Sequence, residues 1–328
     1  MSEEALLARI AARLTELGPT TNAGDVPGTV RVPVGDDAAV IAIAPGSDVV
    51  LSVDAHVEGV HFERAWMTLD DCGYRAVMAA TSDLAAMGAL ARGVLLAIAA
   101  PGGTPDDDVM EVFEGALRAT RAARMDVLGG NLTRARDLSV TTTVVGETRG
   151  VVLRRSGARL GDGLYVTGDV GLAALGRAVL AHADRATLER TAAGTVAVAR
   201  YRAPVAKLVQ GARLCDVASA CIDVSDGLAI DAGRLARASS VRVRIATEVL
   251  AFPPDLDALA AGMGLATLPL ALAGGDDYEL LFTAPAGHSV ESLGTRIGLV
   301  VEGEPGIELH DEHGREVAIP SGWDHFRT

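Results

Sequence analysis

"CIDVSDGLAID", residues 221–231, sets three carboxylates, Asp223, Asp226 and Asp231, in an otherwise apolar run. The β-type start, the Asp226-Gly227 step and the apolar stretch that follows read as a strand giving way to a helix. An acidic strand-to-helix junction of this kind belongs to an α/β chain. Four other stretches repeat the pattern: "VGDDAAV" (34–40), "SVDAHVEGVHF" (52–62), "TSDLAAMGA" (81–89) and "GGDDYEL" (274–280). In each, aspartate stands beside apolar residues or glycine rather than in a solvated charged run.

Elements outward from this junction alternate. Residues 3–17 and 105–124 have helical periodicity, 70–80 looks helical, 92–99 reads as a buried strand, and 138–147 is rich in β-branched residues. After Gly150 the pattern restarts with a strand at 164–168 and a helix from about 171. Helices are expected at 186–200 and 226–239, and strands at 278–284, 298–304 and 308–318. The expected organisation is an α/β (α+β) chain with domains at 1–149 and 150–328.

Composition narrows the function. Apolar residues make up 49% and aromatics 3%, so the core is built from Ala, Val and Leu. Charge is 29 − 43 = −14, which disfavours nucleic acid and anionic membranes as partners. Lys207 is the one lysine, which removes a Walker A loop and the kinase strand lysine. No run of about 18 apolar residues is free of charge, and the start "MSEEALLARI" does not read as a signal peptide. Cys72, Cys215 and Cys221 lack metal-type spacing and read as buried thiols, in keeping with a cytoplasmic protein.

The β-rich runs at 38–44 and 48–54 flank Pro45-Gly46-Ser47 and read as a hairpin. Such a hairpin brings Asp36 and Asp37 beside Asp54. Carboxylates that close repel unless a cation neutralises them, and oxygen-only ligands favour Mg²⁺. The plainer alternative is a pair of solvated turn aspartates. For Asp83 the alternative is a helix N-cap, shared with Ser82. The 221–231 stretch is not a calcium loop, because its glycine falls one place early and no Glu follows at the required spacing. "GGN" (129–131) reads either as a turn offering backbone N–H groups to phosphate or as an ordinary helix-to-strand turn. Five acidic turns in a chain short of lysine together favour a metal-bridged polyphosphate site.

Through "GDDAA", "VEGVHF", "SDLAAMGA", "GGNLTR", "RRSGARLGDGLYVTG", "IDVSDGL", "GGDDYEL" and the terminal "GWDHF", the chain resembles the thiamine-monophosphate kinases. These belong to the aminoimidazole ribonucleotide synthetase-like superfamily. The resemblance implies a two-domain α/β fold whose N-terminal strands close a barrel across a homodimer. It also implies ATP-dependent phosphorylation of thiamine monophosphate to thiamine diphosphate with several Mg²⁺ ions. By motif match, Asp37, Asp54, Asp83, Asn131, Asp223 and Asp226 would hold metal, with backbone help near Val53. Asp226 and Arg155 would carry the catalysis; Arg155, Ser225, Gly130 and Asn131 would meet the nucleotide; His61, Asp276 and Trp323 would border the substrate. The family usually has Asp at the place of Asn131, Glu at that of Asp276 and Tyr at that of Trp323. These departures motivate an alternative, a paralogous ATP-dependent enzyme acting on another phosphate, acyl or amide substrate. Asn131 alone motivates another, a degenerate nucleotide-binding or regulatory protein.

Overall fold

The structure is a computed structural model and describes residues 3–18, 30–34, 38–148, 150–288 and 290–320. It divides into two compact units, one of residues 1–84 and 89–150, the other of 85–88 and 151–328. In chain order the first unit holds α1 (Glu3–Leu17), β1 (Val30–Val32), β2 (Val40–Ile41), β3 (Val49–Val57), α2 (Leu69–Ala86), β4 (Leu90–Ala100), α3 (Asp106–Ala122), β5 (Asp126–Arg134) and β6 (Ser139–Glu147), the last residues of α2 excepted. The second holds β7 (Gly163–Val166), α4 (Leu172–Ala181), α5 (Arg185–Leu188), α6 (Ala192–Arg202), α7 (Leu208–Leu214), β8 (Ala220–Val224), α8 (Leu228–Ser239), β9 (Arg242–Ala246), α9 (Pro254–Gly262), α10 (Thr267–Ala273), β10 (Glu279–Ala284), β11 (Thr295–Val301), β12 (Gly306–His310) and β13 (Glu316–Val317).

In the first unit four strands form an open sheet in the order β3-β6-β4-β5. The β3–β6 and β6–β4 pairs are antiparallel, and β4–β5 is parallel. The two faces differ, as the period-2 alternation requires. Val94, Leu96, Ile98, Val140 and Val144 are buried, whereas Leu51, Val53 and Leu95 are exposed. Helices α2 and α3 approach backbone to backbone. A Cβ on Gly73 would fall 1.8 Å from the Val112 carbonyl oxygen, and one on Gly115 would fall 1.8 Å from that of Asp70. Two glycines thus set this crossing. Arg13 of α1 pairs with Glu114 of α3 at 2.6 Å.

The second unit is built on a seven-stranded sheet, β13-β12-β9-β11-β7-β10-β8, antiparallel except for β9–β12. Both faces are covered. Leu164, Val166, Ile222, Val224 and Leu281 join the core formed with α4, α8 and α10. Cys221, Leu280 and Phe282 join another with Ala85, Leu153, Leu214 and Leu293. Every residue of β8 and β10 is therefore buried.

Several expectations change. The turn at Gly46 forms, with the Ser47 N–H donating to the Ala44 carbonyl at 3.0 Å, but its flanks do not pair. β2 pairs with β1, and β3 runs along β6, Asp54 opposite Thr142. The hairpin is withdrawn, and with it the argument that set Asp36 and Asp37 beside Asp54; those two residues lie outside the described residues. "GGN" lies within β5 rather than in a turn. Asp83 stands well inside α2, which rules out a role as its N-cap. The helix expected at 186–200 is two helices, α5 and α6, the latter capped by the Thr191 hydroxyl. Among the described strands the sheets are open, and none closes a barrel.

Cys72 and Cys221 are buried as expected, while Cys215 is only partly so. Burial pushes the Cys72 thiol up to about 12 and raises those of Cys215 and Cys221 as well, so none is a reactive thiolate at neutral pH. Among the described residues, no single helix is long and apolar enough to cross a membrane.

Candidate functional site

In the first unit the candidate residues gather around β3. Alternation sends Ser52, Asp54 and His56 to one face and Leu51, Val53 and Ala55 to the other. The Ser52 hydroxyl donates to Asp83 Oδ2, tying β3 to α2. Asp54 shares a transverse row with Thr142, Leu96 and Gly130, one residue from each strand. A Cβ on Gly130 would lie 2.0 Å from the Leu96 carbonyl oxygen, so a side chain is excluded there. Gly129 has φ +155° at a register shift between β4 and β5. Leu128 is the extra residue of this bulge, which Gly129 follows, and Gly130 and Asn131 beyond it are exposed. Val53 presents its side chain to the outer face. Its strand is an edge, so alternate backbone groups of β3 stay outside the ladder.

His61 follows β3. The Val57 N–H donates to its Nδ1 at 3.2 Å, which leaves Nε2 as the ring donor. The His56 ring lies 5.2 Å from it, centroid to centroid. Burial, then Arg75 and His61, holds His56 well below the usual histidine range, so it is a neutral imidazole.

In the second unit the β8–α8 junction and the "GGDDYEL" loop are stitched together. The Asp276 N–H donates to the Ser225 carbonyl and the Tyr278 N–H to the Val224 carbonyl, both at 2.8 Å. Gly275, Asp276 and Tyr278 all have left-handed φ, at +70°, +65° and +51°. The two non-glycine residues each store roughly 1–2 kcal/mol of strain. The Tyr278 hydroxyl donates to Asp276 Oδ1 at 3.3 Å. The unit thus brings Asp276 to the same backbone as Asp223, Ser225 and Asp226. Asp277, between the strained residues, accepts N–H bonds from Gly171 at 2.6 Å and Ala173 at 3.3 Å. Burial pushes its carboxyl up to about 8, against these two N–H groups.

Asp231, left out of the assigned site as a local cap or ion-pair partner, acts as both, whereas Glu279 was passed over. Asp231 Oδ2 accepts the N–H groups of Ser225 and Asp226, both at 3.0 Å. Burial raises its carboxyl, and Arg234 opposes that rise. Glu279, fully buried at the start of β10, takes the Thr167 hydroxyl, Lys207 Nζ at 2.9 Å and Arg200 Nη1 at 3.4 Å. The chain's single lysine is thereby an internal counter-ion. Arg155 is exposed on a segment laid beside β8, where the Cys221 N–H donates to the Arg154 carbonyl at 2.8 Å. Asp37 and Trp323 lie outside the described residues.

The donors in each unit are carboxylate, hydroxyl and amide oxygens, which suit a hard divalent cation and not a thiophilic one. Among the described residues no three His, Cys, Asp or Glu side chains converge as a ready metal cluster. The donor chemistry fits Mg²⁺; a complete cage within the described residues is not present.

An open sheet with Asp54 on its inner face, joined in sequence to a mixed sheet with an acidic strand-to-helix junction, defines a class. Residues 35–148 match AIR synthase related protein, N-terminal domain. The chain is 32% identical to the thiamine-monophosphate kinase of Aquifex aeolicus (strain VF5), over 89% of this chain and 92% of that one. It is 37% identical to that of Salmonella typhimurium (strain LT2), over 91% and 93%. The solved structure of AaThiL complexed with AMPPCP and TMP superposes with a TM-score of 0.78 at 30% identity, covering 99% of each chain. The chain belongs to the thiamine-monophosphate kinase family.

Proposed function

We propose that this protein transfers the γ-phosphoryl group of ATP to thiamine monophosphate, yielding thiamine diphosphate and ADP. The observation that carries the reading is its match to thiamine-monophosphate kinases along about nine tenths of its length. A phosphate oxygen of thiamine monophosphate attacks the γ-phosphorus. The new O–P bond forms as the bond to the β–γ bridging oxygen breaks, and that oxygen leaves with ADP. A phosphate monoester is largely dianionic at neutral pH (second pKa about 6), so no strong general base is needed. His56, held well below the usual histidine range, is a weak base, which accords with that.

Bound Mg²⁺ would neutralise the charge of the two reacting anions. Asp37, Asp54, Asp83, Asn131, Asp223 and Asp226, with the backbone at Val53, are assigned to hold it. Arg155, Ser225, Gly130 and Asn131 are assigned to the nucleotide; Asp226 and Arg155 are the residues on which the transfer depends most. His61 Nε2–H and the Tyr278-oriented Asp276 carboxylate, with Trp323, are assigned to the thiamine phosphate. Two domains, 1–149 and 150–328, are assigned to the two halves of the chain, and the cytoplasm is its place.

A homodimer completes the reading. Val49, Leu51, Val53 and Leu95 are 46%, 65%, 59% and 39% exposed on one sheet, an apolar patch that a second copy's N-terminal strands would cover by closing a barrel. Leu51→Asp is expected to convert a dimer to a monomer in sedimentation equilibrium. A dimer that survives this change places the contact elsewhere.

Asn131, Asp276 and Trp323 support a second reading, a paralogue with another acceptor. Incubation with ATP and Mg²⁺ against thiamine monophosphate, thiamine and other phosphate monoesters separates the two. The proposal expects thiamine diphosphate from the first alone. ADP formation with another acceptor and none with thiamine monophosphate would favour the paralogue. Nucleotide binding without turnover on any acceptor would favour a regulatory protein.

A further inference from the structure

Arg234 lies on α8, three residues beyond Asp231 and eight beyond Asp226. Its two terminal nitrogens hold different carboxylates. Nη2 meets Asp226 Oδ2 at 2.6 Å, and Nη1 meets Asp231 Oδ1 at 2.7 Å. Asp231 spends its other oxygen on the backbone N–H groups of Ser225 and Asp226. Both Asp231 oxygens are thus occupied inside the fold, and the side chain is 1% exposed. Asp226 differs: Arg234 takes one of its oxygens, and its side chain is 25% exposed. The cluster of two carboxylates and one guanidinium carries one net negative charge rather than two. Asp231 anchors the arginine; the arginine screens Asp226.

We propose that Arg234 is a resident counter-cation that sets how strongly the Asp226 carboxylate binds a divalent cation. Without such an ion, the guanidinium keeps Asp226 oriented and neutralised. When one binds at Asp226, the fixed positive charge repels it or must swing outward, for which a 38% exposed side chain has room. Affinity is lowered in exchange for a carboxylate held in place. This inference rests on the assignment of Asp226 as a metal ligand.

Arg234→Met keeps the aliphatic stem and removes the charge; Arg234→Lys keeps the charge and loses the fork. Binding of Mn²⁺ to the nucleotide-free protein, followed by the paramagnetic resonance of the free ion, reads the effect without turnover. Arg234→Met is expected to tighten Mn²⁺ binding by about tenfold, whereas Arg234→Lys should stay within about twofold of the natural protein. The metal-free Tm of Arg234→Met should fall, and its rise on adding Mn²⁺ should exceed that of the natural protein. Mn²⁺ affinity unchanged or weakened in Arg234→Met overturns the proposal. Asp226→Asn separates the two possible failures. If it weakens Mn²⁺ binding while Arg234→Met does not tighten it, the counter-cation idea alone fails. If it leaves Mn²⁺ binding intact, the ligand assignment fails and takes this inference with it.

Discussion

Asp226→Asn is expected to slow thiamine diphosphate formation by about 10²–10³-fold at saturating Mg²⁺, the loss seen when one preorganised electrostatic group is removed from a transition state. The substitution keeps the side chain's shape and removes one charge. The backbone around it should hold, because the Ser225 and Asp226 N–H groups are fixed by Asp231 rather than by the residue-226 side chain. Its pair with a substantially exposed Arg234 contributes no more than about 1 kcal/mol. The expected signature is therefore a large fall in kcat with Tm nearly unchanged. Steady-state kinetics and a thermal melt on the same preparation check both. A loss under about threefold would remove Asp226 from the reacting site.

Glu279→Ala should act in the opposite way, on stability first. The carboxylate is fully buried and serves Thr167, Lys207 and Arg200 together. The Thr167 hydroxyl in turn accepts the Leu280 N–H at 2.9 Å, linking β7 to β10. Truncation leaves the Lys207 ammonium, only 13% exposed, without its carboxylate. Breaking a buried pair from one side costs about 3–5 kcal/mol. Urea unfolding followed by circular dichroism should show that loss in the transition of the second unit. Glu279→Gln keeps the volume and the Thr167 contact, so its loss should be smaller. A stability change below about 1 kcal/mol for Glu279→Ala would mean that Lys207 and Arg200 find other partners.

Much of this was legible in the sequence, and what was not shares a cause. Short-range signals worked: the apolar period of α1, the β-branched run of β6, and the glycine between β8 and α8. The acidic turns stood out because aspartate beside alanine and methionine has no solvation reason to be there. The pairing of β3 was not legible. A Gly46 turn between β-rich runs looks local, yet β3 pairs with β6, whose residues lie 82–98 positions further on. Nothing in residues 38–54 encodes that partner. "GGN" was misplaced for a related reason, because glycines that permit a bulge inside β5 look the same as glycines in a turn.

Glu279 escaped because its role depends on burial, whereas Asp231 was read as a local cap or ion-pair partner. Asp231 sits five residues from Asp226, one turn further in, which suits a local cap or ion pair. Only its two backbone bonds and Arg234 show that it is a brace. Glu279 occupies a strand position where alternation alone cannot reveal two cations arriving from α6 and the start of α7.

The central claim concerns where the γ-phosphoryl group goes. ATP labelled at the γ-phosphorus, mixed with Mg²⁺, thiamine monophosphate and this protein, should give label in the terminal phosphate of thiamine diphosphate, matched mole for mole by ADP. Label recovered only as inorganic phosphate, with thiamine monophosphate unchanged, would contradict it.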